Sequence, residues 1–291
     1  AEIAVSPDTS RKTLDTGVRY CVDDACLPVK VFHGHAAALA GECDLVLLPR
    51  FMRIEPNEYI CPKFCGLPEM VQNSVPDLPP MINAPIYTHT RPEFYAWAKA
   101  AGAACTRDSR RIRFAFEAAL ERLGQHQTGI ADVGYPMTVA LSGHPYNLYD
   151  SFINRDLVRK LHALGIGVVT EEELDRSSIA AQARRLAKRP FWTFAKNAFG
   201  FCVHTAEQKL TDGIIYVSSF ACGIDSVAAE RIRLYIGDMP YLVRKLDEHT
   251  GDGGMDTRLE AFADLLERRK ARHGTHVPTS WKRAFCDEGT L

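Results

Sequence analysis

The sequence predicts an α/β protein made of two doubly wound, parallel-sheet domains of the Rossmann-like kind, with a metal site in the cleft between them. Three observations carry that prediction. Short apolar runs at 44–49 (Asp-Leu-Val-Leu-Leu-Pro) and 214–217 (Ile-Ile-Tyr-Val) read as buried strands. Segments of helical spacing separate such runs, and strands alternating with helices build parallel sheets. The rhythm then restarts at Thr138 without repeating the sequence, which splits the chain near residue 130. The expected domains are 1–130 and 131–273, followed by a polar tail, 274–291.

Composition sets the outer bounds. At 291 residues the chain is long enough for two domains, and 46% hydrophobic residues supply an ordinary globular core. A net charge of −1 argues against a general binder of nucleic acid or acidic membrane. No apolar run reaches the roughly 18 residues of a membrane span, and the N-terminus is unlike a signal peptide. A cytoplasmic protein is therefore expected. The chain begins with Ala, and its first residues already read as a strand, so a piece of a longer protein is expected too. Nine cysteines is an odd number for a disulfide framework; in a reducing compartment some of them point to metal or redox chemistry.

In chain order, residues 3–5 read as a short strand and 7–17 as a polar segment. Pro28 suits a first helical turn, and Val29, Phe32, Ala36 and Leu39 share one helical face, so Cys26 stands just before a helix. After the strand at 44–49 comes a loop holding Cys61-Pro-Lys-Phe-Cys-Gly-Leu-Pro68, and Pro68 opens another helix. A strand at 81–86 lies between prolines; helices follow at 94–101 and 109–123, the second stopped by Gly124. In the second half, strands at 138–141, 167–170, 214–217 and 241–245 alternate with helices at 154–164, 179–188, 225–235 and 257–269. The aromatics of 190–201 read as core, and Trp281 and Phe285 as packing residues of the tail.

Candidate chemistry centres on thiols. Cys222 falls in a strand-to-helix turn, where unpaired N–H groups and the helix dipole favour a thiolate. A lone cysteine there is more often buried and inert, but Cys26 and Cys61 repeat the arrangement. Ligands of open α/β sheets collect outside the carboxyl ends of the strands, where Cys222, 143–146 and 247–249 all fall. Cys26 and Cys61 are expected to face them from the first domain. Three thiolates suit an iron–sulfur cluster with one iron left open. The rival is a structural zinc held by Cys21, Cys26, Cys61 and Cys65, and spacing alone leaves both open. Lys30 and His33 share a helix face near Cys26, whereas His33 and His35 do not share one, which weakens a two-histidine metal site. No phosphate-binding loop is present, and Gly251-Asp-Gly-Gly254 reads as a flexible turn, so the chain is not expected to hydrolyse ATP. No nucleophile elbow occurs, and Ser218-Ser219 has no evident partners. The basic run 268–272 reads as a solvated helix end.

Several stretches together resemble a known family. Asp24-Ala-Cys-Leu-Pro-Val-Lys-Val-Phe-His-Gly-His35 and Val46-Leu-Leu-Pro-Arg50 are similar to the opening motifs of proteins related to 2-hydroxyacyl-CoA dehydratases, in the branch related to CoA-substrate-specific enzyme activases. Ser219-Phe-Ala-Cys-Gly223, Leu246-Asp-Glu-His-Thr250 and Thr257-Arg-Leu-Glu-Ala-Phe262 resemble that branch's closing motifs, in collinear order from about residue 2 to 270. The resemblance implies an oxygen-sensitive iron–sulfur protein, with a 4Fe–4S or double-cubane cluster on Cys26, Cys61 and Cys222. It also implies low-potential electrons from an ATP-hydrolysing activase of the sugar kinase/actin type, fused or separate. A small-molecule or CoA-ester substrate and a second copy or related subunit complete the implied partners. Lys30, His33, Arg50, His144, Tyr146, Asp247, Glu248 and His249 become the candidates for contacts around the cluster or substrate. Gly143-His-Pro-Tyr-Asn147 departs from the family's Gly-Arg-Pro-Tyr-His, and Cys21 and Cys65 lie outside the shared pattern. The alternative is a non-catalytic, zinc-stabilised module that docks a partner protein.

Overall fold

The structure, a computed structural model, describes residues 2–188 and 190–273; the expected tail, with Trp281, Phe285 and Cys286, lies outside the described residues. The chain forms an α/β fold with parallel sheets and divides into two compact units. The first comprises Ala1–Thr128 with Pro190–Phe194; the second comprises the remainder. Residues 190–194 join the first unit through backbone bonds: Tyr59 N–H donates to the Phe191 carbonyl (2.9 Å), and Thr193 N–H donates to that of Tyr59 (3.0 Å).

In the first unit, α1 (Arg11–Arg19) begins at Ser10, whose hydroxyl caps the Thr13 amide, and packs on α2 (Leu27–Ala37). Two glycines permit this contact. A Cβ on Gly17 would stand 1.8 Å from the Lys30 carbonyl oxygen, and one on Gly34 would stand 1.9 Å from that of Thr13. The expected strand at 3–5 does not form: the segment makes no ladder, and Ile3 and Val5 are exposed.

The first unit is not the doubly wound sheet expected from the sequence. Its strands are β1 (Val46–Leu47) and β2 (Arg50–Arg53), followed by α3 (Pro62–Cys65), α4 (Leu67–Ser74), β3 (Met81–Ile82) and β4 (Pro85–Tyr87). β1 pairs with β3 and β2 with β4, both parallel. Val46 lies opposite Met81 and Arg50 opposite Pro85, so both pairs keep one register and form an interrupted two-stranded ribbon. Pro49 stands at the break, and proline has no N–H to continue a ladder. Helices α5 (Arg91–Ala103) and α6 (Ser109–Gln125) complete the unit; Gly124 does not stop α6.

The second unit holds one four-stranded parallel sheet. Its chain order is β5 (Met137–Gly143), α7 (Pro145–Tyr149), α8 (Ser151–Asn154), α9 (Leu157–Ala163), β6 (Ile166–Val169), α10 (Arg176–Ala183), α11 (Thr193–Glu207), β7 (Gly213–Ser219), α12 (Gly223–Tyr235), β8 (Tyr241–Leu246) and α13 (Asp252–His273). The sheet order is β6-β5-β7-β8. Ile214 and Tyr216 join Phe199 and Phe201 of α11 and Ile232 of α12 in one core cluster. Gly213 lies on the other face, with Leu266 and Phe262 of α13 2.9 and 3.0 Å from where a Cβ would stand. With both faces covered, 214–217 is apolar without alternation and fully buried, each large side chain contributing about 1.5–3 kcal/mol. Of the aromatics in 190–201, Phe199 and Phe201 are core as expected, whereas Phe191 is 50% exposed. Gly253 and Gly254, expected in a flexible turn, lie inside α13.

Candidate metal centre

In the second unit the chain leaves β5 toward β6 on one side, while β7 lies on the other. The carboxyl ends of β5 and β7 therefore flank a topological switch point, where open α/β sheets bind ligands. Gly143 ends β5 at φ +152°, and a Cβ there would lie 2.3 Å from the Val217 carbonyl oxygen. Only glycine fits so close a backbone approach. His144 follows as the residue before α7, with Pro145 in that helix's first turn, and its side chain is 2% exposed.

Across the switch point, β7 leads to Cys222, the N-cap of α12, whose Sγ accepts a hydrogen bond from the Asp225 amide (3.4 Å). Asp225 is 1% exposed. Its Oδ1 accepts from the Tyr216 hydroxyl (2.7 Å) and lies 3.3 Å from His144 Nε2; its Oδ2 is buried without a hydrogen-bond partner among the described residues. His144 Nδ1 meets the Tyr146 hydroxyl. Ligand atoms of His144, Cys222 and Asp225 lie within 4.8 Å of one another. Burial lowers the His144 pKa, countered in part by the Asp225 charge, so the ring is neutral near pH 7 and keeps a lone pair. Burial and the Asp225 charge raise the Tyr216 pKa, which keeps it a donor. Beside this group the Ser219 hydroxyl donates to Asn147 Oδ1 (2.9 Å).

In the first unit, Cys26 and Cys61 are the N-caps of α2 and α3, each followed within two residues by a proline. Cys26 packs with Ala25, Val29 and Leu67, with Cys21 against them. Burial raises the Cys61 and Cys21 pKa values, and the charge of Cys26 raises both further. Lys63 acts on both thiols in the opposite sense, as Lys30 does on Cys21. Cys21, Cys26 and Cys61 therefore share a neighbourhood with two ammonium groups. Thiols are soft metal ligands, but among the described residues only His144, Cys222 and Asp225 bring three possible ligand atoms within 4.8 Å of one another.

The remaining candidates are scattered. Cys65, of the proposed zinc quartet, turns its thiol to the Phe51 carbonyl at 3.9 Å, with Arg50 as its charged neighbour. Arg50 pairs with Glu69. Lys30 and His33 are buried in α2, and His33 Nδ1 bonds the Val29 carbonyl (2.7 Å). Burial lowers the His33 pKa. Asp247 spends its carboxylate on its own turn, accepting from His249 N–H (2.8 Å) and the Thr250 hydroxyl (2.9 Å), and His249 is exposed. Cys202 is a core residue whose pKa burial pushes up to about 12.

Asp225 and Tyr216 escaped the sequence reading. The available signals were weak: a cysteine N-cap followed three residues later by an acid, and one hydroxyl inside an apolar strand.

The family model described as the CoA enzyme activase uncharacterised domain matches residues 1–174. That span includes Cys21, Cys26, Cys61 and His144; Cys222 and Asp225 follow it. No curated protein matches the chain.

Proposed function

Since the chain belongs to the CoA enzyme activase uncharacterised domain family, we propose that it is an iron–sulfur component of an ATP-dependent reductive enzyme acting on a CoA ester or similar small molecule. Cys26, Cys61 and Cys222 supply thiolates to iron, and electrons arrive at low potential from an activase that hydrolyses ATP. One observation supports this reading above the others: all three cysteines stand immediately before a helix, and the Cys222 sulfur accepts a hydrogen bond from a backbone amide there. Burial raises the Cys61 pKa, so the metal itself draws the proton from that thiol. When bound, a cluster supplies one-electron chemistry. The chain's own part is to hold the sulfurs, to set their charge through Lys30 and Lys63, and to keep the His144–Asp225 pair dry beside Cys222. Such surroundings tune a cluster's potential.

The zinc module is the second reading, and the nearness of Cys21 to Cys26 favours it. Anaerobic purification followed by iron, sulfide and zinc analysis separates the two. Brown protein with matched iron and sulfide is expected. Colourless protein carrying zinc, with loss on Cys21→Ala but none on Cys222→Ala, would replace this reading with the zinc module.

A further inference from the structure

The Cys222 end of the second unit has a property that thiolate ligation alone does not explain. Three electron-rich side chains converge there within 4.8 Å. Asp225 Oδ2 is buried and has no hydrogen-bond partner among the described residues, although an unpaired buried carboxylate oxygen is costly. The other Asp225 oxygen is taken by Tyr216, and the second nitrogen of His144 is taken by Tyr146. Metal sites share that division for histidine and carboxylate ligands: one atom is fixed by an outer partner, which leaves the other for the metal. A cation among Cys222, His144 and Asp225 satisfies Oδ2 and relieves the crowding of a thiolate against a carboxylate.

We propose that Cys222 Sγ, Asp225 Oδ2 and His144 Nε2 bind one divalent transition-metal ion, with Tyr216 and Tyr146 as positioning residues. Sulfur, nitrogen and oxygen ligands together suit a borderline ion such as Fe²⁺, Zn²⁺ or Co²⁺. At metal–ligand distances of about 2.0–2.3 Å the three ligand atoms, now within 4.8 Å of one another, draw in around the ion, and His144 exchanges its 3.3 Å contact with Asp225 for it. Three protein ligands leave a four-coordinate ion one open position, the arrangement of catalytic rather than structural sites. A carbonyl or carboxylate oxygen of a small substrate fits that position. The inference is independent of the function proposed above: it assigns Cys222 to a single ion held with His144 and Asp225 rather than to a cluster shared with Cys26 and Cys61.

The test uses Co²⁺ alone, added anaerobically to the reduced, chelator-treated full chain, with no sulfide present. The background carries Cys21→Ala, Cys26→Ala and Cys61→Ala, so that thiols of the first unit do not contribute. One Co²⁺ per chain, with a thiolate-to-cobalt charge-transfer band, is expected. Cys222→Ser removes the band. Asp225→Asn, nearly isosteric, weakens binding at least tenfold, and Tyr216→Phe weakens it about 10–100-fold while the band is retained. His144→Gln changes the ligand-field bands of the bound ion. Circular dichroism of each variant checks that the fold survives, and Asp225→Asn carries the test if His144→Gln does not fold. Absence of a band in that background, or unchanged affinity in Asp225→Asn, overturns the site. The function proposed above fails separately: wild-type chain without iron and sulfide after anaerobic purification, but binding Co²⁺ through Cys222, leaves this site standing.

Discussion

Gly143 shows how one residue governs the geometry beside the candidate centre. A methyl group there meets the Val217 carbonyl at 2.3 Å in a backbone conformation that L-residues rarely adopt. Gly143→Ala should therefore destabilise the protein by about 1–3 kcal/mol and displace His144, visible as a lowered denaturation midpoint with weaker Co²⁺ binding. Single Cys→Ala changes should sort the thiols: iron lost at positions 26, 61 and 222, and retained at 43, 105 and 202. Retention after Cys222→Ala would remove that residue from the ligand set. The N-cap positions of Cys26 and Cys222 were legible because proline and glycine mark helix starts in the sequence, whereas Cys61 was expected in a loop before a helix at Pro68 and in fact opens the short α3. Asp225 and Tyr216 were not legible, since their burial comes from helix α12 packing across strand β7, a tertiary fact without a local pattern. His249 failed in the opposite direction: its motif stands at a strand end, but its turn uses Asp247 to satisfy itself.

Strands buried on both faces announce themselves, as β5, β6 and β7 do, and the half-buried β8 also overlaps the run that predicted it. The first unit was harder to read, because Pro49 breaks a ribbon whose register continues past the break. Helix packing offers a sharper test there. Gly17→Ala drives a methyl into the Lys30 carbonyl at 1.8 Å, so α1 must move off α2. A loss of about 1–3 kcal/mol or more is expected, together with lower metal content, because α2 begins at Cys26. Unchanged iron in a destabilised Gly17→Ala would show that α2 is positioned without α1. The turn after β6 carries a pH dependence. Burial, then the neighbouring Glu172 charge, raises the Glu171 pKa from 4.5 to about 7. Between those values the folded state holds a proton that the unfolded state has released, so this contribution is full below 4.5 and is lost as pH rises to about 7. Relative to wild type, Glu171→Gln should melt progressively higher as pH goes from about 5 to 8. A constant difference across that range would contradict the shift.

At the scale of the whole molecule, the question is where the driving energy enters. The sequence contains no phosphate-binding loop, and its best glycine-rich candidate opens α13 as helix. No helix among the described residues is long and apolar enough to cross a membrane. The chain's family is described as a CoA enzyme activase uncharacterised domain, and the function proposed above takes an ATP-hydrolysing activase as the source. The expected outcome has two parts. Purified chain shows no ATPase activity above a boiled control, with or without reductant. Adding the activase, ATP and a mild reductant brings reduction of the bound cluster, followed by anaerobically, while a non-hydrolysable ATP analogue does not. Reduction of the isolated chain by the same mild reductant, with no ATP, would show that no energetic barrier separates donor from cluster. The chain would then be an ordinary electron carrier rather than the ATP-gated component proposed here.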